Sequence, residues 1–167
     1  MSMWFIGDTH FNHANIIDYC NRPFSSVEEM DKVMIDNWNS VVQDSDIVYF
    51  LGDFVFGDYR KYLSVLKGEV IFIKGNHDRE KSKLLREQKT HDSLFISIEG
   101  VNFELVHDHA DRISTDRWLI YGHHHNNYSV EFPFFDSVGK KINVSVEMIN
   151  YFPVNSRDIL NKICGAK

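Results

Sequence analysis

Five short segments each close an apolar run with side chains that bind divalent cations: Asp8-Thr9-His10, Gly52-Asp53, Gly75-Asn76-His77-Asp78, His107 and Gly122-His123-His124-His125. Carboxylate, amide oxygen and imidazole form a mixed donor set that suits manganese, iron, zinc or nickel, and the chemistry it supports is metal-assisted hydrolysis. Taken singly, each segment is weak: Gly-Asp turns are common, and a histidine at a strand end is usually a surface residue. The ordered set, with every member at the end of a β-rich run, points to donors converging on one sheet edge. In an extended segment His123 and His125 project to the same side, because strand side chains alternate, and a pair of adjacent ions would share them. His109 competes with His107, since both lie in Val106-His107-Asp108-His109.

Such segments need strands that stop where they begin. Residues 3–7 form an apolar run that stops at Asp8, residues 47–51 lead into Gly52-Asp53, and residues 70–73 lead into Lys74-Gly75-Asn76-His77-Asp78. Ser26 and Glu29 have the spacing of a capping box. Val27, Met30, Val33, Met34, Trp38 and Val41 then recur at helical spacing, which predicts a helix with one apolar face, ending within 39–43. A short helix is expected over 59–66, closed by Gly68 in a left-handed position. This half alternates strand and helix, the pattern of parallel strands joined by crossovers, with ligands at the carboxyl ends.

The second half changes rhythm. A helix over 81–88 precedes β-rich runs at 94–98 and 101–106 joined by a turn at Glu99-Gly100. A run at 118–121 enters Gly122-His123, strands are expected at 132–135 and 142–146 around Gly139, and Asn155 caps a last helix over 156–163 with Asp158 at its third position. The fold class is α/β, with two sheets packed face to face and helices outside, in a single domain over residues 1–167.

With 167 residues, 43% of them hydrophobic, the chain supports one core and not two. The net charge is -6, which argues against a protein that grips duplex nucleic acid through its phosphates. An anionic substrate remains compatible, because two divalent ions would bring about four positive charges into the cleft. Cys20 and Cys164 form neither a disulfide framework nor a CxxC zinc site. The sequence shows no membrane-length apolar stretch and no leader with a cleavage site, so the expectation is a cytoplasmic protein without a membrane partner.

As an ordered set, the motifs resemble those of the calcineurin-like metallophosphoesterases: Asp-x-His, Gly-Asp, Gly-Asn-His-Asp or Glu, His, and Gly-His-x-His, matched here from residue 8 to residue 125. The resemblance implies an αββα sandwich of two mixed β-sheets flanked by helices, with a dinuclear metal site at the strand ends. It implies that Asp8, His10 and His125 hold one ion, that Asn76, His107 and His123 hold the other, and that Asp53 bridges them. His107 is favoured over His109 because the family's ligand directly follows its strand. The implied reaction is hydrolysis of phosphodiester or phosphomonoester bonds by a hydroxide bridging two divalent ions, manganese first, with iron, zinc or nickel as alternatives. His77 is the implied general acid, and Asp78, which closes its motif, is grouped with it in the catalytic set.

Departures from the family pattern narrow the substrate. Protein phosphatases of the family carry Asp-Arg-Gly after the second motif, where this chain has Phe54-Val55-Phe56-Gly57-Asp58, so it looks more like the small prokaryotic and viral phosphodiesterase-type members. Asn12, His13 and Asn15 are candidate substrate hydrogen-bonding groups, Arg22 a candidate phosphate contact, and His124, which replaces the small residue usual between the two histidines, a further candidate substrate contact. The expected partner is a small phosphate ester or nucleotide-like molecule. The alternatives are a nuclease acting on short single-stranded oligonucleotides and a non-catalytic interaction scaffold, as in a retromer subunit of this fold that lacks the catalytic histidine.

Overall fold

Aromatic and β-branched residues dominate three apolar runs, Met3–Ile6 (β1), Ile47–Phe50 (β2) and Glu69–Ile73 (β3). These pair in parallel in the computed structural model, which describes residues 1–78 and 87–165. Thr90–His91 (β4) adds to the outer side of β3. A second sheet is built from Leu94–Ile98 (β5), Val101–Leu105 (β6), Trp118–Tyr121 (β7), Phe135–Asp136 (β8) and Lys141–Asn143 (β9), in the order β5-β6-β7-β9-β8. Val154–Asn155 (β10) returns antiparallel to β1, so the first sheet runs β10-β1-β2-β3-β4 and both sheets are mixed. The β5–β6 hairpin turns through Glu99 and Gly100, both at positive φ (49° and 81°), as a two-residue turn of this hand requires.

Period-two alternation divides the side chains of the first sheet between two cores. Phe5, Tyr49, Leu51 and Ile73 face the second sheet and pack with Phe103, Leu105, Ile120, Ile142 and Val144. Ile6, Val48, Phe50 and Phe72 face the other way, onto Met30, Met34 and Trp38 of the helix Val27–Val41 (α2). Burial on both faces is why these strands read as continuous apolar runs. The capping box forms, with the Ser26 hydroxyl accepting from the Glu29 N–H at 3.2 Å. Two short helices, Asn15–Tyr19 (α1) and Tyr59–Leu63 (α3), add to the outer layer, and Ser156–Gly165 (α4) adds Ile159, Leu160 and Ile163 to the inter-sheet core. The Asn155 carboxamide caps α4 by accepting from the Arg157 N–H at 2.9 Å.

Three expected boundaries shift. The helix expected over 59–66 ends at Leu63, and Gly68, at φ 88°, reverses the chain in front of β3. Of the strand expected over 132–135 only Phe135 pairs, because the Phe132 N–H turns back to the Tyr128 carbonyl. The strand expected over 142–146 stops at Asn143 because the chain then crosses between sheets: the Gly7 N–H donates to the Val144 carbonyl and the Val146 N–H to the Gly7 carbonyl. The helix expected over 81–88 lies largely outside the described residues. No described helix is long and apolar enough to cross a membrane.

The crossing has a functional result. Since β1, β2 and β3 are parallel, β6, β7 and β9 are parallel, and β9 is tied to β1 at Gly7 and Ser145, the carboxyl ends of both sheets open onto one edge.

Candidate metal centre

All five motif segments meet at that edge. Asp8 and His10 follow β1, Asp53 follows β2, Asn76 follows β3, His107 follows β6, and His123 and His125 follow β7. Five of these seven residues, Asp8, His10, Asp53, His123 and His125, have φ between 48° and 73°. Asp, Asn and His tolerate this left-handed region better than most residues, and such clustering is characteristic of functional sites. The segment 122–125 is therefore not extended. His123 and His125 diverge to different donor groups where period-two alternation would have placed them side by side.

One group comprises Asn76, His107 and His123. The Asn76 Oδ1 lies 2.9 Å from both His107 Nε2 and His123 Nδ1, and the two nitrogens are 3.2 Å apart, spacings suited to three ligands of one ion. His107 Nδ1 donates to the Leu51 carbonyl at 2.7 Å, which fixes the tautomer and leaves Nε2 free. The other group comprises Asp8, His10 and His125, whose donor atoms lie within 4.8 Å of one another. Asp53 stands between them, its Oδ2 3.6 Å from His10 Nε2 and 3.4 Å from His107 Nε2.

The electrostatics fit cations. Asp8 Oδ1 and both ring nitrogens of His10 are buried without a hydrogen-bond partner, an arrangement that costs about 1–3 kcal/mol per atom unless something else satisfies them. Burial pushes the His10 ring down to about 3, keeping it neutral and able to donate a lone pair. Burial raises the Asp8 carboxyl, against the pull of His125 and His107. Burial would raise Asp53 too, but the contact with His107 and the charges of His107 and His10 hold it below the usual carboxylate range. His107 is opposed by burial and still raised to about 9 by Asp53 and Asp8. Without cations the protons on such rings balance the carboxylates, and cation uptake would displace them.

His77 sits beside this centre and outside both groups. Its ring meets His10 edge-on with centroids 5.5 Å apart, and its backbone N–H donates to Asp53 Oδ1 at 2.8 Å. Asp78 departs from the catalytic expectation. Its buried carboxylate accepts from the N–H groups of Asp53 (2.7 Å), Gly75 (3.0 Å) and Phe54 (3.2 Å), so it is a positioning residue that splints two motif loops together. The loops are packed so closely that a Cβ on Gly75 would collide with Asp53, and one on Gly122 with the Asp8 carboxylate. The motif glycines thus let backbone lie against the Asp8 and Asp53 carboxylates.

Arg22 also departs from expectation. It is buried, donating to the carbonyls of Thr9 and Asp8 at 2.8 and 2.7 Å, and pairs with Glu147 at 2.7 Å, so its guanidinium braces the Asp-x-His loop from inside the fold. Glu147, which the sequence reading missed, accepts from His125 Nδ1 at 3.0 Å and so fixes the ring that groups with Asp8 and His10. It lies past β9, outside every motif, and only the inter-sheet crossing brings it to this edge. Asn12 is exposed at the rim, its amide donating to the Phe56 carbonyl, and Asn15 is exposed at the start of α1. His13 stacks on Phe56 with centroids 4.0 Å apart, next to His10. His124 turns away from the centre and onto Phe132 and His109.

The family model for the calcineurin-like phosphoesterase superfamily domain matches residues 1–132. The chain belongs to this superfamily. It is 49% identical over 168 residues to an uncharacterized protein of Methanocaldococcus jannaschii, a match covering 96% of this chain and 90% of the relative. A solved structure of a protein of unknown function from Aquifex aeolicus aligns with a TM-score of 0.74 at 30% identity, covering 97% of this chain and 99% of the other. The gene 66 protein of Mycobacterium phage L5 is 33% identical over 81 residues, 45% of this chain and 39% of the phage protein. Membership of this superfamily points to phosphoesterase activity and implies divalent metal ions.

Proposed function

We propose that this protein is a dinuclear metal-dependent phosphoesterase that hydrolyses phosphodiester or phosphomonoester bonds in small, nucleotide-like substrates. The observation that carries this reading is the place of Asp53: one carboxylate oxygen stands about equally far from the His10 and His107 nitrogens, between two donor groups. A carboxylate there offsets the repulsion of two adjacent cations. Asp8, His10 and His125 would hold one ion and Asn76, His107 and His123 the other, with Asp53 shared. When bound, two such cations, manganese in our reading, acidify water and withdraw charge from phosphate oxygens.

The remaining work belongs to the chain. His77 donates a proton to the departing alkoxide, and the hydrogen bond from its backbone to Asp53 holds it at the metal edge. Asp78 keeps the loops of Asp53 and Gly75 in register, and Glu147 holds His125 with one nitrogen facing the centre. His13, stacked on the half-exposed Phe56 beside His77, offers a flat surface for the leaving group, while Asn12 and Asn15 border the opening.

The test is turnover of bis-(p-nitrophenyl) phosphate by the manganese-loaded protein. Chelation should abolish it, and His77→Ala should lower kcat by about 10²–10⁴-fold while metal content stays unchanged. Undiminished turnover in that variant would remove the acid role. A chain that retains no manganese after loading would return the scaffold reading.

A further inference from the structure

Three side chains near the centre have no part in the reading above, and they face one another. His109 and His124 are the histidines left over from the His107 and Gly-His-x-His motifs. His109 Nδ1 and His124 Nε2 lie 2.6 Å apart, and Asp108 Oδ1 is 3.2 Å from the first and 3.6 Å from the second. Ligands of a tetrahedral ion with bonds of about 2.0–2.1 Å sit roughly 3.3 Å apart, and these separations bracket that spacing. One proton between two imidazoles can satisfy a single pair, whereas an ion accepts all three donors at once.

The rings are already fixed in place. His124 lies flat on Phe132, with centroids 3.7 Å apart at 9°, and His109 packs against Phe132 at 4.9 Å and Tyr121 at 5.8 Å. Asp108 is fixed by the Ala110 N–H, which donates to Oδ1 at 2.9 Å. All three side chains are partly exposed, between 19% and 31%, so further coordination positions would open to water. We propose that Asp108, His109 and His124 form a separate site for one divalent cation of the zinc class, at the mouth of the dinuclear centre. Two imidazoles and a carboxylate favour zinc, cobalt or nickel over magnesium and calcium, which prefer oxygen donors. Asp108 Oδ2 lies 3.5 Å from His123 Nε2, so one carboxylate would join this ion to a ring of the inner centre.

Metal-free protein is loaded with zinc, freed of excess by gel filtration and assayed for metal per chain by mass spectrometry. The wild type should hold about three ions. His124→Thr and His109→Gln should each hold one fewer, with an unchanged circular dichroism spectrum and loss of part of the visible absorption of the cobalt-loaded form. Asp53→Asn, which disturbs the inner pair, should keep the outer ion. Equal metal content in the wild type and both histidine variants overturns the proposal and leaves the dinuclear reading standing. A single ion that disappears in both variants supports the proposal and overturns the dinuclear reading instead.

Discussion

At the scale of single residues, the centre depends on side chains that would not touch a substrate. Glu147 is the clearest case. Its side chain is 2% exposed, Arg22 pairs with it, and its contact with His125 Nδ1 fixes the orientation of that ring. Glu147→Gln keeps the shape and removes the charge, so metal affinity should fall by about 10–100-fold, measured by competition with a chelating indicator, while the fold remains. The motif residues were legible in the sequence because oxygen and nitrogen donors at strand ends carry a spacing signal. Glu147 was not, since a lone Glu past a short strand has no such signal. Arg22 was misread for a related reason: a guanidinium suits phosphate and backbone carbonyls alike, and only its burial decides between them.

At the scale of elements, the loop after β2 is held from below by an aromatic wedge. Phe54, fully buried and directly after Asp53, meets Phe11, Phe50 and Phe72 edge-on at 5.5, 5.0 and 5.4 Å, and its carbonyl accepts from Thr9 and Phe11. Phe54→Ala should cost about 3–5 kcal/mol in urea unfolding and loosen Asp53 as well. A second fastening lies at the opposite edge. Asp46 accepts from the Ser2 N–H, the Trp4 indole and the Gln43 N–H, which ties the starts of β1 and β2 to the end of α2.

Backbone hydrogen bonds from Ser2 and Gln43, opposed by burial, hold the Asp46 carboxyl below its ordinary value. A depressed carboxylate adds stability that is present above its unfolded pKa and lost as pH falls through the folded one. Asp46→Ala should therefore melt at lower temperature than wild type near neutrality, and the gap should close in acid, as thermal scans across pH would record. The strands, the capping box and the hairpin were readable because each has local chemistry that agrees with its place in the fold. The segment 122–125 was not, because left-handed residues break the alternation that the strand pattern assumes. The ends of the strands near 132–146 were hidden as well, since the turn at Tyr128 and the crossing at Gly7 are tertiary events.

At the scale of the whole molecule, each donor group draws on both sheets. Asp8 and His10 come from the first sheet and His125 from the second, while Asn76 comes from the first and His107 and His123 from the second. Cations would therefore bind the folded chain and have no matching site in the unfolded one. Stability should rise with free manganese, by about 2.7 kcal/mol at a hundredfold excess over Kd, and the melting temperature should climb with concentration and fall back on chelation. An ion held in this way is a rivet between two plates, doing with coordination bonds what a covalent cross-link does elsewhere. A cell starved of the cation would lose more than catalysis: the unriveted chain would open sooner, proteases would reach it sooner, and its abundance would follow the metal supply.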